Sequence, residues 1–372
     1  MHIPFIDLTR SVSMIKTEVI SDWQDCVDHC EFVGGARVKK FEDRMTRELK
    51  VNNFAACSNG TDALVVGLQS MGVKAGMRVA LPNMTFWAPF EAVVQVGAIP
   101  VLVDIDEQDL QMDFDEFKEA CERFDCKAAI LVHLYGWCSH RLLEYRQYCR
   151  DNGIHLIEDA AQAYGVQVAG EPVFSDAELG TLSFYPSKVL GAAGDGGGIT
   201  SLDPKVSELV GALCDHGRAG HYTYDYVGWN ARMGGLQAAF LTRALDKVED
   251  WLASRRQAES YYQEFFSGRE DLCRVWKAPA DVRSNGYLNV ITPRQKTGDE
   301  VVAAMTMAGI GCARTYPQTL DMQPPAGNAL RISGLESSHR LSKQVVNLPL
   351  FAGITAEECR HSANALLKVL EE

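Results

Sequence analysis

Three stretches of the chain carry residue types that do chemistry when they are brought together. Lys188 stands in Ser183-Phe-Tyr-Pro-Ser-Lys188-Val-Leu-Gly, flanked by Val189 and Leu190 rather than by charge. Partial burial lowers a lysine's pKa and leaves a free amine able to attack a carbonyl. The glycines that follow at 191, 194, 196, 197 and 198 allow the backbone close to a ligand. A solvated lysine in a glycine-rich turn fits the same letters. Upstream, Leu156-Ile-Glu-Asp159-Ala-Ala-Gln162 sets a carboxylate at the end of an apolar run, where it either caps a helix or faces a ligand. Cys57-Ser58-Asn-Gly60-Thr61-Asp62 follows another apolar run and opens a helix. The free N–H groups of such a turn, with the helix dipole, suit an anion, although Ser58 or Asn59 also reads as a simple N-cap.

Composition narrows the setting. A net charge of −13 argues against a nucleic-acid surface, which needs clustered Lys and Arg, but leaves room for one nucleotide in a local basic pocket. No Gly-Lys-Ser/Thr follows the Gly60 turn, and no segment fits a dinucleotide-binding glycine fingerprint. Eleven cysteines show no C-x-x-C pair, so no metal-ligand pattern is present and reduced thiols in the cytoplasm are expected. The N-terminus lacks a signal-peptide pattern, and no apolar run is long enough to span a membrane.

The elements that must position these residues follow from hydrophobic periodicity. Residues 12–31 and 38–49 read as helices. Short apolar runs near 54–57, 78–81, 99–103, 128–132, 154–158, 180–184 and 198–201 alternate with helical patterns, which implies parallel βαβ units and an α/β fold. Residues 233–266 read as one long helix bridging two domains, and the division expected is 1–244 and 245–372. The second part carries a strand-like run at 286–292 and helices at 298–308 and 355–370; 328–338 reads as either helix or loop.

Together the Lys188 and Asp159 stretches resemble the DegT/DnrJ/EryC1/StrS aminotransferases, pyridoxal-phosphate (PLP) enzymes of the aspartate-aminotransferase fold that aminate keto sugars. The resemblance runs from about residue 30 to the end and closes on Val346-Asn-Leu-Pro349-Leu. It implies a large PLP-binding domain with a mainly parallel sheet and a smaller C-terminal α+β domain. It also implies that Lys188 holds the cofactor as a Schiff base and that Asp159 keeps the pyridine nitrogen protonated. Gln162 would meet the ring hydroxyl or stack near it, and Phe86, directly after Thr85, would stack on the ring. Gly60, Thr61 and Ser183 would hold the phosphate. Trp87 reads as core packing, and His133 in Val132-His-Leu-Tyr-Gly136 as a satisfied core histidine.

Gly228-Trp-Asn230-Ala-Arg232 resembles the family segment whose Asn crosses a dimer interface to the neighbour's phosphate. The implied unit is therefore a homodimer with shared sites. Tyr185, Arg218, Arg232 and Tyr316 are the expected substrate contacts. Arg314-Thr-Tyr316-Pro317 has Thr315 where many relatives carry His, and Leu320-Asp321 where they carry Leu-His, which puts the substrate in question rather than the chemistry. The function implied is amino transfer from an amino acid, glutamate being expected, to a nucleotide-linked keto sugar, at C3 in preference to C4. A keto-cyclitol acceptor is the alternative. A PLP-dependent sugar dehydratase is disfavoured by Lys188, and a regulator by the lack of a DNA-binding domain.

Overall fold

The computed structural model describes residues 1–372. Its centre is an eight-stranded sheet. In chain order the strands are β1 (Ala55–Cys57), β2 (Arg78–Pro82), β3 (Ile99–Val103) and β4 (Ala128–Val132). They continue with β5 (His155–Asp159), β6 (Leu179–Ser183), β7 (Gly197–Ser201) and β8 (Leu330–Arg331). Across the sheet they lie in the order β1-β7-β6-β5-β4-β2-β3-β8, and β7 alone runs against the others. Every residue of β4 is buried, as expected for a continuous apolar strand covered on both faces. The apolar runs read from the sequence coincide with β1 to β7.

Helices α1 (Leu8–Ser13), α2 (Lys16–Asp28) and α3 (Gly35–Glu48) precede the sheet. Helices α4 (Gly60–Ser70), α5 (Ala88–Gln95), α6 (Phe114–Phe124), α7 (Leu142–Asn152) and α8 (Pro204–Cys214) alternate with its strands. The β6–β7 hairpin folds over Phe54 so closely that a Cβ on Gly198 would lie 2.0 Å from the ring. Only glycine fits there.

The single long helix expected over 233–266 is two helices, α9 (Gly235–Leu245) and α10 (Val248–Phe265). At the break the N–H groups of Asp246 and Lys247 bond back three residues, to Arg243 and Ala244, and the Asp246 carboxylate pairs with Arg44 on α3. A local turn fixed by a tertiary ion pair overrides a helical pattern that contains no proline. The 286–292 run is strand only at Ile291–Pro293, and 328–338 resolves into β8, which joins the edge of the large sheet, and the start of α12 (Glu336–Gln344).

A second, smaller core gathers Tyr262, Met305 and Leu366 from α10, α11 (Gly298–Met307) and α13 (Ala356–Glu371), with Phe266 just past α10 and Ile291 from the Ile291–Pro293 strand. Ile3 belongs to it, wholly buried, with its N–H on the Gly309 carbonyl (3.0 Å) and its own carbonyl taking the Gly311 N–H (2.7 Å). Capping boxes at Thr297/Glu300 and Thr355/Glu358 start α11 and α13. No helix is long and apolar enough to cross a membrane.

Beneath the sheet's C-terminal edge lies a buried charged group. Glu158 Oε1 accepts from Arg146 Nε (2.7 Å), and its Oε2 meets His133 Nε2 (2.9 Å) and Arg146 Nη2 (2.9 Å). Burial alone would raise the Glu158 carboxyl, but Arg146 and His133 outweigh it and hold it at about 2, against an ordinary 4.5. The stabilisation is thus complete above the unfolded value and disappears as pH falls through about 2. Glu158→Ala, which strands the Arg146 charge, is expected to cost ~3–5 kcal/mol in urea unfolding at pH 7. The deficit relative to the native chain should shrink in acid.

Candidate active site

The strand ends converge on one place, outside the carboxyl edge of the parallel sheet, where open α/β sheets bind ligands. Lys188 follows β6 on a tight turn, its N–H on the Tyr185 carbonyl (2.8 Å). It is half-buried, and its Nζ lies 3.4 Å from the hydroxyl of Tyr287 and over that ring, 5.1 Å from the centroid. Tyr287 is set by Asn285, whose Oδ1 takes the Tyr287 N–H (2.9 Å) and whose Nδ2 bonds the carbonyls of Gln162 and Tyr164.

Asp159 ends β5 as a buried residue. Its Oδ1 accepts the Ala161 N–H (3.0 Å), which leaves Oδ2 free for a cationic donor. Burial raises the carboxyl above its usual range, against the pull of Ala161, Lys188 and His133. A bound pyridinium would offset that cost, so the site is built for a cation it does not itself supply. Gln162 is clamped at both ends, Oε1 by the Tyr135 N–H (2.7 Å) and Nε2 on the Tyr316 hydroxyl (2.5 Å). Tyr316, expected on the substrate side, therefore also reaches the cofactor end. Its ring stands 6.5 Å from Phe86 and 6.3 Å from Tyr135, centroid to centroid. Tyr135 and Tyr316 both hold positive φ, +65° and +62°, a strained backbone typical of functional sites. Phe86 is mostly exposed, its ring uncovered for stacking, whereas Trp87 stacks on Phe90 in the packing.

An anion cup lies opposite. Asn59 caps α4 by accepting the Asp62 N–H (2.8 Å), so the capping role is real. It nevertheless leaves the N–H groups of Gly60 and Thr61 without a protein acceptor. A Cβ on Gly60 would lie 2.7 Å from the Cβ of Ser183, so glycine here brings the helix start against the end of β6. The Ser183 hydroxyl, which takes the Tyr185 N–H at 3.3 Å, borders the same cup.

The structure brings Lys188, Asp159, Gln162, Tyr316 and Phe86 together on one side, and Gly60, Thr61 and Ser183 on the other. Tyr185 is exposed beside them. The segment 230–232 abuts the turn before Gly60, the Ala231 carbonyl taking the Ser58 N–H (2.8 Å) and Arg232 forming a β-bridge to Cys57. Asn230 is exposed with its Oδ1 on Arg232 Nη2 (2.8 Å), and Arg232 and Arg218 both pair with Asp215. Around them Tyr222, Tyr224, Tyr226, Val227 and Trp229 are exposed. His133 is a core histidine as expected, its Nε2 on Glu158, but it is only half satisfied, since its Nδ1 is buried without a partner. Asp321 is not a free charge. Asn83, Thr319, Arg331 and His339 all hold it, and its carboxyl stays below the usual range as these bonds outweigh burial. Sequence reasoning missed Tyr287, Tyr135 and Asn285. The letters Asn-Gly-Tyr carry no spacing signal, and only the tertiary fold sets them against Lys188 and Gln162.

An open, mainly parallel sheet whose C-terminal edge joins a lysine, a buried carboxylate and an anion cup is the frame of a fold type I aminotransferase. The chain belongs to the DegT/DnrJ/EryC1/StrS aminotransferase family, whose model matches residues 13–367. It is 31% identical over 371 residues to the UDP-N-acetyl-3-dehydro-alpha-D-glucosamine 3-aminotransferase of Acidithiobacillus ferrooxidans, covering 99% of this chain and 98% of that one. It is also 31% identical to the UDP-2-acetamido-2-deoxy-3-oxo-D-glucuronate aminotransferase of Pseudomonas aeruginosa, covering 94% and 95%. Among solved structures, DesV of S. venezuelae in complex with a ketimine intermediate superimposes with a TM-score of 0.95 at 25% identity, over 100% of this chain and 99% of that one.

The residues present fit pyridoxal phosphate, the cofactor of such chemistry. The free N–H groups at Gly60 and Thr61 suit its phosphate, the free Asp159 oxygen its ring nitrogen, and Lys188 its aldehyde. Gly60→Ala should push Ser183 away and weaken cofactor binding roughly tenfold. Equilibrium dialysis of pyridoxal phosphate against the native and variant chains measures this directly.

Proposed function

We propose that this protein moves an amino group from an amino acid, L-glutamate being the expected donor, to the C3 keto carbon of a nucleotide-linked sugar. The observation that carries the reading is the meeting of Lys188, Asp159 and the Gly60–Thr61 cup at one sheet edge. The names of the two curated relatives, both acting on UDP-linked sugars oxidised at C3, favour C3 over C4. In the same reading the large and small domains divide at 244/245, beside the turn between α9 and α10.

When bound, the cofactor supplies an aldehyde that carries the amino group and a ring that draws electrons from the donor's α-carbon. Lys188 would hold that aldehyde, and its freed amine would serve as the base for the proton of the donor's α-carbon. Tyr287, whose hydroxyl accepts from Lys188 Nζ at 3.4 Å, would give the freed amine a hydrogen-bond partner. Asp159 would hold the ring nitrogen through its free Oδ2, and Phe86 would cover one ring face. The clamp of Tyr135, Gln162 and Tyr316 fixes the edge of the site. Tyr185, Arg218, Arg232 and Tyr316 are the proposed contacts for the sugar and its nucleotide.

The active unit is a homodimer in which Asn230 serves the partner's phosphate cup. The exposure of Asn230 supports this, as does the exposed aromatic segment around it, which an interface would cover.

The purified protein should absorb as bound pyridoxal phosphate. Borohydride should abolish the band and fix the cofactor to Lys188 by peptide mapping; a label on any other residue defeats the assignment. In the amine-loaded form, a 3-keto nucleotide sugar should restore the original spectrum. Restoration only by 4-keto sugars, or only by a keto-cyclitol, overturns the acceptor.

Lys188→Ala and Asn230→Ala chains should each be nearly inactive. Mixed in equal amounts with random exchange, they should recover roughly a quarter of all sites. No recovery after confirmed exchange would mean that Asn230 serves its own chain.

A further inference from the structure

Behind the Lys188 turn lies a cavity of roughly 250 Å³. Its wall includes Lys188, Ser11 of α1, and Trp251 and Arg255 from successive turns of α10. Arg255 is 5% exposed, yet no carboxylate of the chain pairs with it. Its Nη1 is shared among the carbonyls of Gly286, Tyr287 and Leu350 at 3.2–3.5 Å. Its Nε is buried without an acceptor, and its Nη2 makes no hydrogen bond within the protein. Burial with no counter-charge pushes the guanidinium down to about 10. The indole Nε1 of Trp251 is likewise buried and unpaired.

These are donor-only groups, and neither Arg255 Nε nor Trp251 Nε1 is bonded to an acceptor of the wall. The one carboxylate there, Asp7, is already occupied by Thr9 and Arg10. The Ser11 hydroxyl gives its proton to the Leu8 carbonyl. Buried polar groups left unpaired are costly and mark a place where something else supplies the partner. The free edge of a guanidinium, Nε with Nη2, is the edge that binds a carboxylate through two parallel bonds.

We infer that this cavity binds a carboxylate of the amino-acid donor, with Arg255 and Trp251 as its anchors. The inference rests on the transaminase reading above and adds a donor site to it. Two observations select the donor over the acceptor. The volume falls below the ~300–1,000 Å³ of pockets for drug-sized ligands, too small for a nucleotide-linked sugar. Its wall also contains Lys188, the residue whose place the donor amine must take. The same carbonyl bonds tie Arg255 to the backbone of Tyr287, so the anchor and the partner of the lysine amine move as one body.

The test uses glutarate, a dicarboxylate with no amine, titrated calorimetrically into the cofactor-loaded chain, with the neutral diamide as control. Glutarate should bind saturably and the diamide should not. Arg255→Gln should weaken glutarate at least ~30-fold and raise the donor KM to match, with the keto-sugar KM unchanged. Arg255→Lys should recover only part of the loss, since a point charge lacks the paired edge.

Because Arg255 also struts the Tyr287 loop, Ser11→Phe provides a second route. It narrows the cavity without touching Arg255 and should weaken glutarate in the same way. Unchanged glutarate binding in both variants overturns the inference. So does a loss confined to the nucleotide sugar, which would assign the carboxylate to the acceptor. If the native chain bound glutarate but aminated no sugar, the acceptor reading would fail and the anchor would stand.

Discussion

The strand β5 presents two adjacent carboxylates to opposite faces, and the site depends on their being kept apart. Side chains alternate along a strand, so Glu158 and Asp159 cannot share an environment. Glu158 turns toward Arg146 and His133 and is held charged by them. Asp159 turns toward Lys188 and the free space beside it, and burial raises its carboxyl. One neighbour locks the strand in place with a complete ion pair, and the other is left incomplete so that a ligand can finish it. A shift of β5 by one residue would either leave the buried Arg146 facing Ile157 or move Asp159 onto it and put Ala160 in the site. The structural ion pair is thereby also a register device for the functional carboxylate.

The rest of the site hangs from that strand. Gln162 follows Asp159 by three residues, and its two hydrogen bonds reach Tyr135 after β4 and Tyr316 from the C-terminal part of the chain. Asn285 adds a second tie, from the carbonyls of Gln162 and Tyr164 to the Tyr287 loop. Arg255 gives a third, from α10 to the same loop and to Leu350. Apart from the Gln162–Tyr316 bond, residues far apart in sequence are thus fixed around Lys188 by side chains bonded to backbone. That choice makes their positions depend little on which residues occupy the loops.

The seven strands from β1 to β7 were legible because each is a short apolar run bounded by turns, and periodicity reports burial faithfully there. Lys188, Asp159 and the Gly60 turn were legible because they sit at element ends, where residue type has a local physical meaning. Tyr287 and Asn285 were not legible, since their importance comes from contacts spanning 99 to 123 residues. The break between α9 and α10 was hidden for a similar reason: Asp246 looks like any helix-surface acid until Arg44 is placed beside it. Asn59 shows that a local reading can be right and still incomplete. It does cap α4, and the cup exists beside the cap.

The stitching of Ile3 into the smaller core has a consequence for how the chain is made. Its backbone partners lie at Gly309 and Gly311, so one edge of that core stays open until synthesis has passed them. At ~5–20 residues per second, that interval is on the order of 15–60 s. For that time the segment around Ile3 lacks these backbone partners, while strands β1 to β7, made much earlier, can already close around Lys188. The cofactor's half of the site can therefore form on the ribosome well before the residues that complete it.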